Sequence, residues 1–167
     1  MSDIPRAVDD SFDQVVRQRE ALALRVAYRI LGNWADAEDV AQEVFVRLYR
    51  HGLRFPSDSA LGGWLYRVTA NLCLDRLRSS RTSQELPELR GQEPSAEAAA
   101  IREEQKQRLM TALATLPAKE RAAVVLREIE GLSTADVAKI LGSSDGTVRS
   151  QVAKAIARLR TILTQEE

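Results

Sequence analysis

Apolar residues recur at spacings of three and four along most of the chain, and the breaks in that rhythm divide it into segments. Phe12, Val15, Val16, Ala23, Val26, Ala27, Ile30 and Leu31 share one helical face. That spacing predicts a helix over about 10–31, with Asp9, Asp10 or Ser11 as its cap and Gly32-Asn33 as its stop. Ala37, Val40, Ala41, Val44, Phe45 and Leu48 form a second stripe and predict a helix over about 34–50. Residues 51–59 hold Pro56 and small polar side chains and read as a loop. Trp64, Leu65, Val68, Leu72 and Leu77 give a third helix, about 59–78, an apolar side, with Ser59 placed to cap it.

The rhythm is lost over 83–94, where Pro, Gly, Gln and Glu predominate, as in an interdomain linker. It resumes at Ser95, with Ile101, Leu109, Leu113 and Leu116 along a helical pattern. Pro117 punctuates it, and a further helix runs from Ala118 to about Ile129. Ser133 opens a short helix to Leu141, with Asp136 three places on as in a capping box. Gly142-Ser-Ser-Asp145 is a tight turn, and a last helix follows from about 145 to 163. The expected fold is all-α: two small helical domains, 1–82 and 105–167, joined by a flexible acidic linker, 83–104.

Composition agrees with this: 167 residues, 44% apolar and only 5% aromatic, favour helices over sheets. The formal net charge of zero conceals a division into +1 over 1–82, −4 over 83–104 and +3 over 105–167. Any nucleic-acid affinity must therefore come from local patches. Cys73 and His51 are single residues of their kinds, which excludes an internal disulfide and a Cys/His zinc site. Neither a metal nor a cofactor is expected. The N-terminus lacks the basic start and apolar core of a signal peptide, and no apolar run approaches the roughly 20 residues of a membrane span. A reduced, cytoplasmic setting follows as the default. No phosphate loop, nucleophile elbow or metal-ligand cluster supports an enzyme.

The last two predicted helices, with their glycine-containing turn, form a helix-turn-helix pattern. In the final helix Val148, Val152, Ala155, Leu159 and Ile162 make the buried stripe, leaving Arg149, Ser150, Gln151, Lys154 and Arg158 off it. Residues 146–163 contain four basic side chains and no acid, a bias suited to a phosphate-lined groove. A solvated basic face carries the same charge, and a stand-alone helix-turn-helix regulator would account for 105–167 alone.

Leu116-Pro-Ala-Lys-Glu-Arg121, Glu130-Gly-Leu-Ser133, Val137-Ala-Lys-Ile-Leu-Gly142, Gly146-Thr-Val-Arg-Ser150, Ala155 and Leu159-Arg160 together resemble the −35-reading C-terminal domain of extracytoplasmic-function (ECF) sigma factors. Independently, Asp36-Ala-Glu-Asp-Val-Ala-Gln-Glu-Val-Phe45 resembles that family's core-polymerase-binding helix. Gly63-Trp-Leu-Tyr-Arg67, with Asn71, Asp75 and Arg78, resembles its promoter-melting helix. The resemblance implies an alternative sigma factor, with core RNA polymerase (β′ clamp helices and β flap), promoter DNA and an anti-sigma factor as partners. It implies polymerase contacts at Asp36, Asp39, Gln42 and Glu43. It implies −10 contacts at Phe55, Trp64, Tyr66, Arg67, Asn71 and Arg78, with Trp64 either a core anchor or a base platform. Arg76 and Arg81 would extend the basic end of that helix. On the −35 side it implies Thr147, Arg149, Ser150, Gln151, Ala153, Lys154 and Arg158. Asp145, Gln151, Ala153 and Ile156 depart from the family's commonest residues, which bears on promoter sequence more than on role.

Overall fold

The structure is a computed structural model that describes the backbone over 6–79 and 97–165 and side chains over 10–79 and 100–165. Seven α-helices follow in order: α1 (Arg6–Leu31), α2 (Trp34–His51), α3 (Asp58–Ser79), α4 (Glu97–Ala114), α5 (Ala118–Val124), α6 (Thr134–Leu141) and α7 (Asp145–Thr164). α5 widens into a π-helical turn over Val125–Ile129. Among the described residues there is no strand.

The first three helices bury the stripes that the sequence sets out. Val26, Ile30, Val44, Leu48 and Leu65 are all fully enclosed. α1 ends where Gly32 takes φ 74°, a left-handed conformation that glycine adopts without steric cost. The next residue starts α2: the Asn33 side chain accepts a hydrogen bond from the Asp36 amide at 3.1 Å. So short a link makes the two helices antiparallel neighbours. Across it Tyr28 stacks on Trp34, ring centroids 3.9 Å apart and planes 9° from parallel.

The second group, α4 to α7, encloses Leu113, Leu116, Leu126, Val137, Val148 and Ala155. Ser133 caps α6 by accepting from the Asp136 amide at 3.1 Å, as the capping box predicts. Gly142 at φ 63° makes the turn into α7. Ser144 then caps α7 from the Thr147 amide.

Two expectations are corrected. α1 already runs through Asp9, Asp10 and Ser11, so none of them caps it. α3 starts at Asp58, with Ser57 rather than Ser59 accepting from the Ala60 amide. α4 begins by Glu97, two residues after the point where the sequence pattern resumes; 83–96 lie outside the described residues, as does Arg81. The π turn at the end of α5 was not foreseen.

The two groups do not stand apart. α1 lies against α4 and α5, α3 lies against α5 and α6, and the buried side chains join in one continuous core. Arg121 ties them from the inside. Its guanidinium is buried and donates to the Ile30 carbonyl of α1 at 2.7 Å, and to the Ala114 and Leu116 carbonyls at 2.9 Å each. These carbonyls lie at helix C-terminal ends, where backbone dipoles favour a cation. Burial nevertheless pulls the Arg121 pKa below its ordinary value.

Cys73 sits inside α3 with no exposed surface, and burial pushes its thiol up to about 12 despite the nearby charge of Arg76. Only the thiolate is an effective nucleophile. Native protein at pH 8 should therefore resist iodoacetamide, while urea-unfolded protein is alkylated within minutes, read by intact mass. Equal rates in both states would contradict this burial.

Candidate nucleic-acid interface and what engages it within the fold

The structure spreads the predicted residues over three faces. On α2, Asp39 and Gln42 are exposed and Asp36 and Glu43 half-buried. Arg76, one helix away, spans the acid row: it donates to the Asp36 carbonyl at 3.0 Å and approaches the Asp39 carboxylate to 3.4 Å. Glu43 pairs with Arg47 one turn on, at 3.0 Å. Among the described residues Gln42 makes neither kind of contact, and it lines a groove of about 870 Å³ between α1 and α2 with Phe12, Glu38, Val46 and Tyr49. Val46 and Tyr49 are 43% and 47% exposed. The sequence reading missed these two. Their signal was an apolar residue off the α2 stripe, one turn and two turns beyond Gln42.

The predicted −10 residues gather around the loop before α3. Phe55 stacks on His51 at 5.0 Å, and Trp64 lies 5.3 Å from His51 and 6.0 Å from Phe55, making a cluster of three rings. Trp64 is half-buried: it packs against the core with one part and lines a groove of about 580 Å³ with the rest. His51, the lone histidine, was not among the candidates. Arg67 lines the same groove, while Asn71 and Arg78 are exposed further along α3, with Arg78 3.6 Å from Asp75. The far wall of this groove is α6, through Leu132, Asp136, Lys139 and Ile140.

On α7, Arg149, Ser150, Ala153 and Lys154 are exposed at spacings of four, so they share one face. The Thr147 hydroxyl is engaged with Ser144 at 2.9 Å. Gln151 turns partly inward, its carbonyl oxygen buried and without a hydrogen-bond partner. Arg158 lies 3.2 Å from Glu120 of α5, so an internal carboxylate competes with any phosphate for it.

The strongest polar cluster was not anticipated. Glu130 follows the π turn: its amide reaches back to the Val125 carbonyl, and Leu132 to Leu126, around Gly131 at φ 74°. The extra residue in that turn aims Glu130 at α1 and α3. There Arg25 donates to both its oxygens at 2.8 and 2.9 Å, Arg29 to one at 3.0 Å, and the Tyr66 hydroxyl to the other at 2.9 Å. The Glu130 side chain is only 4% exposed. Burial pushes its pKa upward, but the hydrogen bonds from Arg25 and Tyr66 and the charges of Arg25 and Arg29 outweigh that and hold it below the ordinary carboxylate value. Burial and the bond to Glu130 raise Tyr66. Arg25 and Glu130 are 105 positions apart, and no local pattern pairs them.

The family description Sigma-70 region 2 matches residues 15–82, and Sigma-70, region 4 matches 106–159. The ECF RNA polymerase sigma factor SigE of Mycolicibacterium smegmatis is 36% identical over 166 residues, covering 96% of this chain and 64% of that protein. The chain thus spans just under two thirds of that relative's length. SigM of Mycobacterium tuberculosis, also an ECF RNA polymerase sigma factor, is 37% identical over 153 residues, covering 92% of this chain and 77% of that one. The sigma factor RpoE of Bartonella quintana, solved with the anti-sigma factor NepR, superposes with a TM-score of 0.70 at 22% identity over 94% of this chain and 99% of that one, a likeness of fold.

The titration of the Glu130 cluster bounds the pH range over which it holds the two groups together. Glu130 is depressed, so its contribution is complete above the ordinary glutamate value of about 4.3 and is lost as pH falls through that value and below. Tyr66 is raised, so its contribution is complete below about 10 and is lost as pH climbs through its raised value. Arg25 is raised by its bond to Glu130 and stays charged throughout. The radius of gyration from small-angle scattering should therefore stay constant from pH 6 to 9 and rise in acid, with helicity followed in parallel. Glu130→Gln should remove the acid branch. Expansion between pH 6 and 8 would contradict this assignment.

Proposed function

We propose that this chain, which belongs to the ECF RNA polymerase sigma factor family, binds core RNA polymerase and directs it to begin transcription at a specific class of promoter. The observation that carries the reading is the match of both halves, in order, to sigma regions 2 and 4. A stand-alone regulator needs only the second. The chain acts as an initiation factor without catalysis of its own, in the cytoplasm where polymerase works. No helix among the described residues is long and apolar enough to cross a membrane.

In this reading α2 docks on the β′ clamp helices. Gln42, which can both donate and accept, sits at the rim of the groove, with Val46 and Tyr49 supplying apolar area beside it. Asp36, Asp39 and Glu43 exchange their internal arginines for basic residues of the partner. Phe55, Trp64 and His51 offer planar faces for an unstacked base, each worth roughly 1–3 kcal/mol by stacking, against a flipping cost of a few kcal/mol. Arg67, Asn71 and Arg78 hold the strand beside them. Arg149, Ser150, Ala153 and Lys154 of α7 meet base edges of the −35 element, where Arg149 can pair with guanine through two hydrogen bonds. Thr147, Gln151 and Arg158 position the helix on the backbone, Arg158 only after leaving Glu120. The β flap engages the same C-terminal domain. An anti-sigma factor is the expected inhibitor, in keeping with the RpoE fold relative that was solved with one.

Run-off transcription from fragmented genomic DNA with bacterial core polymerase should give discrete transcripts only when the protein is present. Absence of both transcripts and core binding would refute the proposal. Gln42→Ala should weaken core affinity by roughly 2- to 10-fold, the range of one lost interfacial hydrogen bond, and Asp39→Arg by more, with thermal unfolding of Gln42→Ala unchanged. Unaltered affinity in both variants would remove α2 from the polymerase interface.

A further inference from the structure

Arg25, Arg29 and Tyr66 form a cup of two guanidinium groups and a phenol whose donors all converge on one anion. In this structure that anion is the Glu130 carboxylate from the other domain. The cup is assembled entirely from α1 and α3, so it survives removal of its occupant. A fork of Arg donors fits a phosphate as well as a carboxylate. Its neighbourhood is suggestive too. Tyr66 lines both this cup and the groove that holds Phe55, Trp64 and Arg67. Arg25 keeps 42% of its side chain exposed even with Glu130 in place.

The closed arrangement is incompatible with reading both promoter elements at once. Elements centred at −35 and −10 lie about 85 Å apart at 3.4 Å per base pair. A folded body of this length is only about 40 Å across. The far wall of the −10 groove is α6, so Phe55, Trp64 and Arg67 face protein across it. The two domains must part, and parting pulls Glu130 out of the cup.

We propose that the Arg25–Arg29–Tyr66 cup is a backbone-phosphate site for the single strand of the melted promoter, and that Glu130 occupies it in the closed molecule as an internal phosphate mimic. Closure and strand binding then compete for the same donors. Release of Glu130 alone does not free the domains completely, because Arg121 still reaches the Ile30 carbonyl. The inference rests on the sigma-factor reading for its biological strand, but the contact itself is indifferent to sequence.

The test uses the full chain and a mixed-sequence 20-nucleotide single-stranded DNA at low salt, without polymerase. Dyes at Gln18→Cys and Arg160→Cys, both exposed positions, report separation of the domains by energy transfer, and Cys73 is left buried. Glu130→Gln should lower transfer and bind the oligonucleotide at least about threefold more tightly than the parent. Adding Arg25→Gln and Arg29→Gln leaves Glu130 released to the same extent but removes the cup. That triple variant should lose the gain, and its log–log salt slope should be shallower by about 0.7, one single-strand phosphate. Unchanged energy transfer in Glu130→Gln would overturn the closing role. Equal affinity and slope in Glu130→Gln and the triple variant, with circular dichroism unchanged, would overturn the phosphate site. Failure of run-off transcription with the oligonucleotide results as expected would instead count against the sigma-factor reading.

Discussion

One exchange of charge holds the molecule together: a single helical element, α5 with its π turn, sends a cation and an anion across to the first three helices. Arg121 goes to the carbonyl end of α1, and Glu130 goes to Arg25 and Arg29 on the same helix. Neither charge sits comfortably in a protein interior by itself. A buried ion is tolerated only when its hydrogen-bonding capacity is nearly filled. Glu130 meets four donors, and Arg121 meets three carbonyls with only its Nε left over. Separation of the domains therefore exposes two charges and breaks several directed bonds together. That favours two discrete arrangements over gradual loosening.

The same habit recurs on each functional face. Arg76 lies against the acids of α2, Arg158 against Glu120, Arg78 against Asp75 and Glu43 against Arg47. In the proposed role, a chain of zero net charge contacts an acidic polymer and a polymerase through charges distributed among internal pairs that a partner can replace. Where both partners are exposed, as in Arg78–Asp75 and Glu43–Arg47, such pairs contribute little, about 0–1 kcal/mol each. Replacement is then cheap, whereas the Glu130 cluster is enclosed and bidentate and resists it. The faces differ in how readily they exchange partners.

What the sequence made legible follows from the range of the interaction. The stripes on α1, α2 and α7 and the cap at Ser133 depend on neighbours within four positions, so they can be read from spacing. Gly142 is of the same kind. The start of α1 was misplaced because Asp9 and Asp10 are good caps that the helix overrides, and Ser59 lost to Ser57 by two positions. Glu130 was visible only as part of a motif: its partners lie on other elements, and nothing in Arg25-Val-Ala-Tyr-Arg29 distinguishes a cup from a solvated face. Val46 and Tyr49 were legible in principle, as apolar residues where the α2 stripe predicts polar ones.

The π turn explains why this cluster is specific to one geometry. An α-helix continued through Val125–Ile129 would place residue 130 about 100° further round the axis than the wider turn does. Gly131 then takes a left-handed conformation that a side chain would strain, which fixes the departure of the chain immediately after Glu130. The glutamate is held between a widened turn and a glycine, so its direction is set by backbone geometry rather than by rotamer choice alone. A residue held that way serves one position of the partner domain and no other. The same rigidity keeps α6 in register against α3, since α6 begins four residues after Glu130. Closure of the cup and walling of the Phe55–Trp64 groove are thus one event, because the chain between Glu130 and Thr134 is too short to let them occur separately.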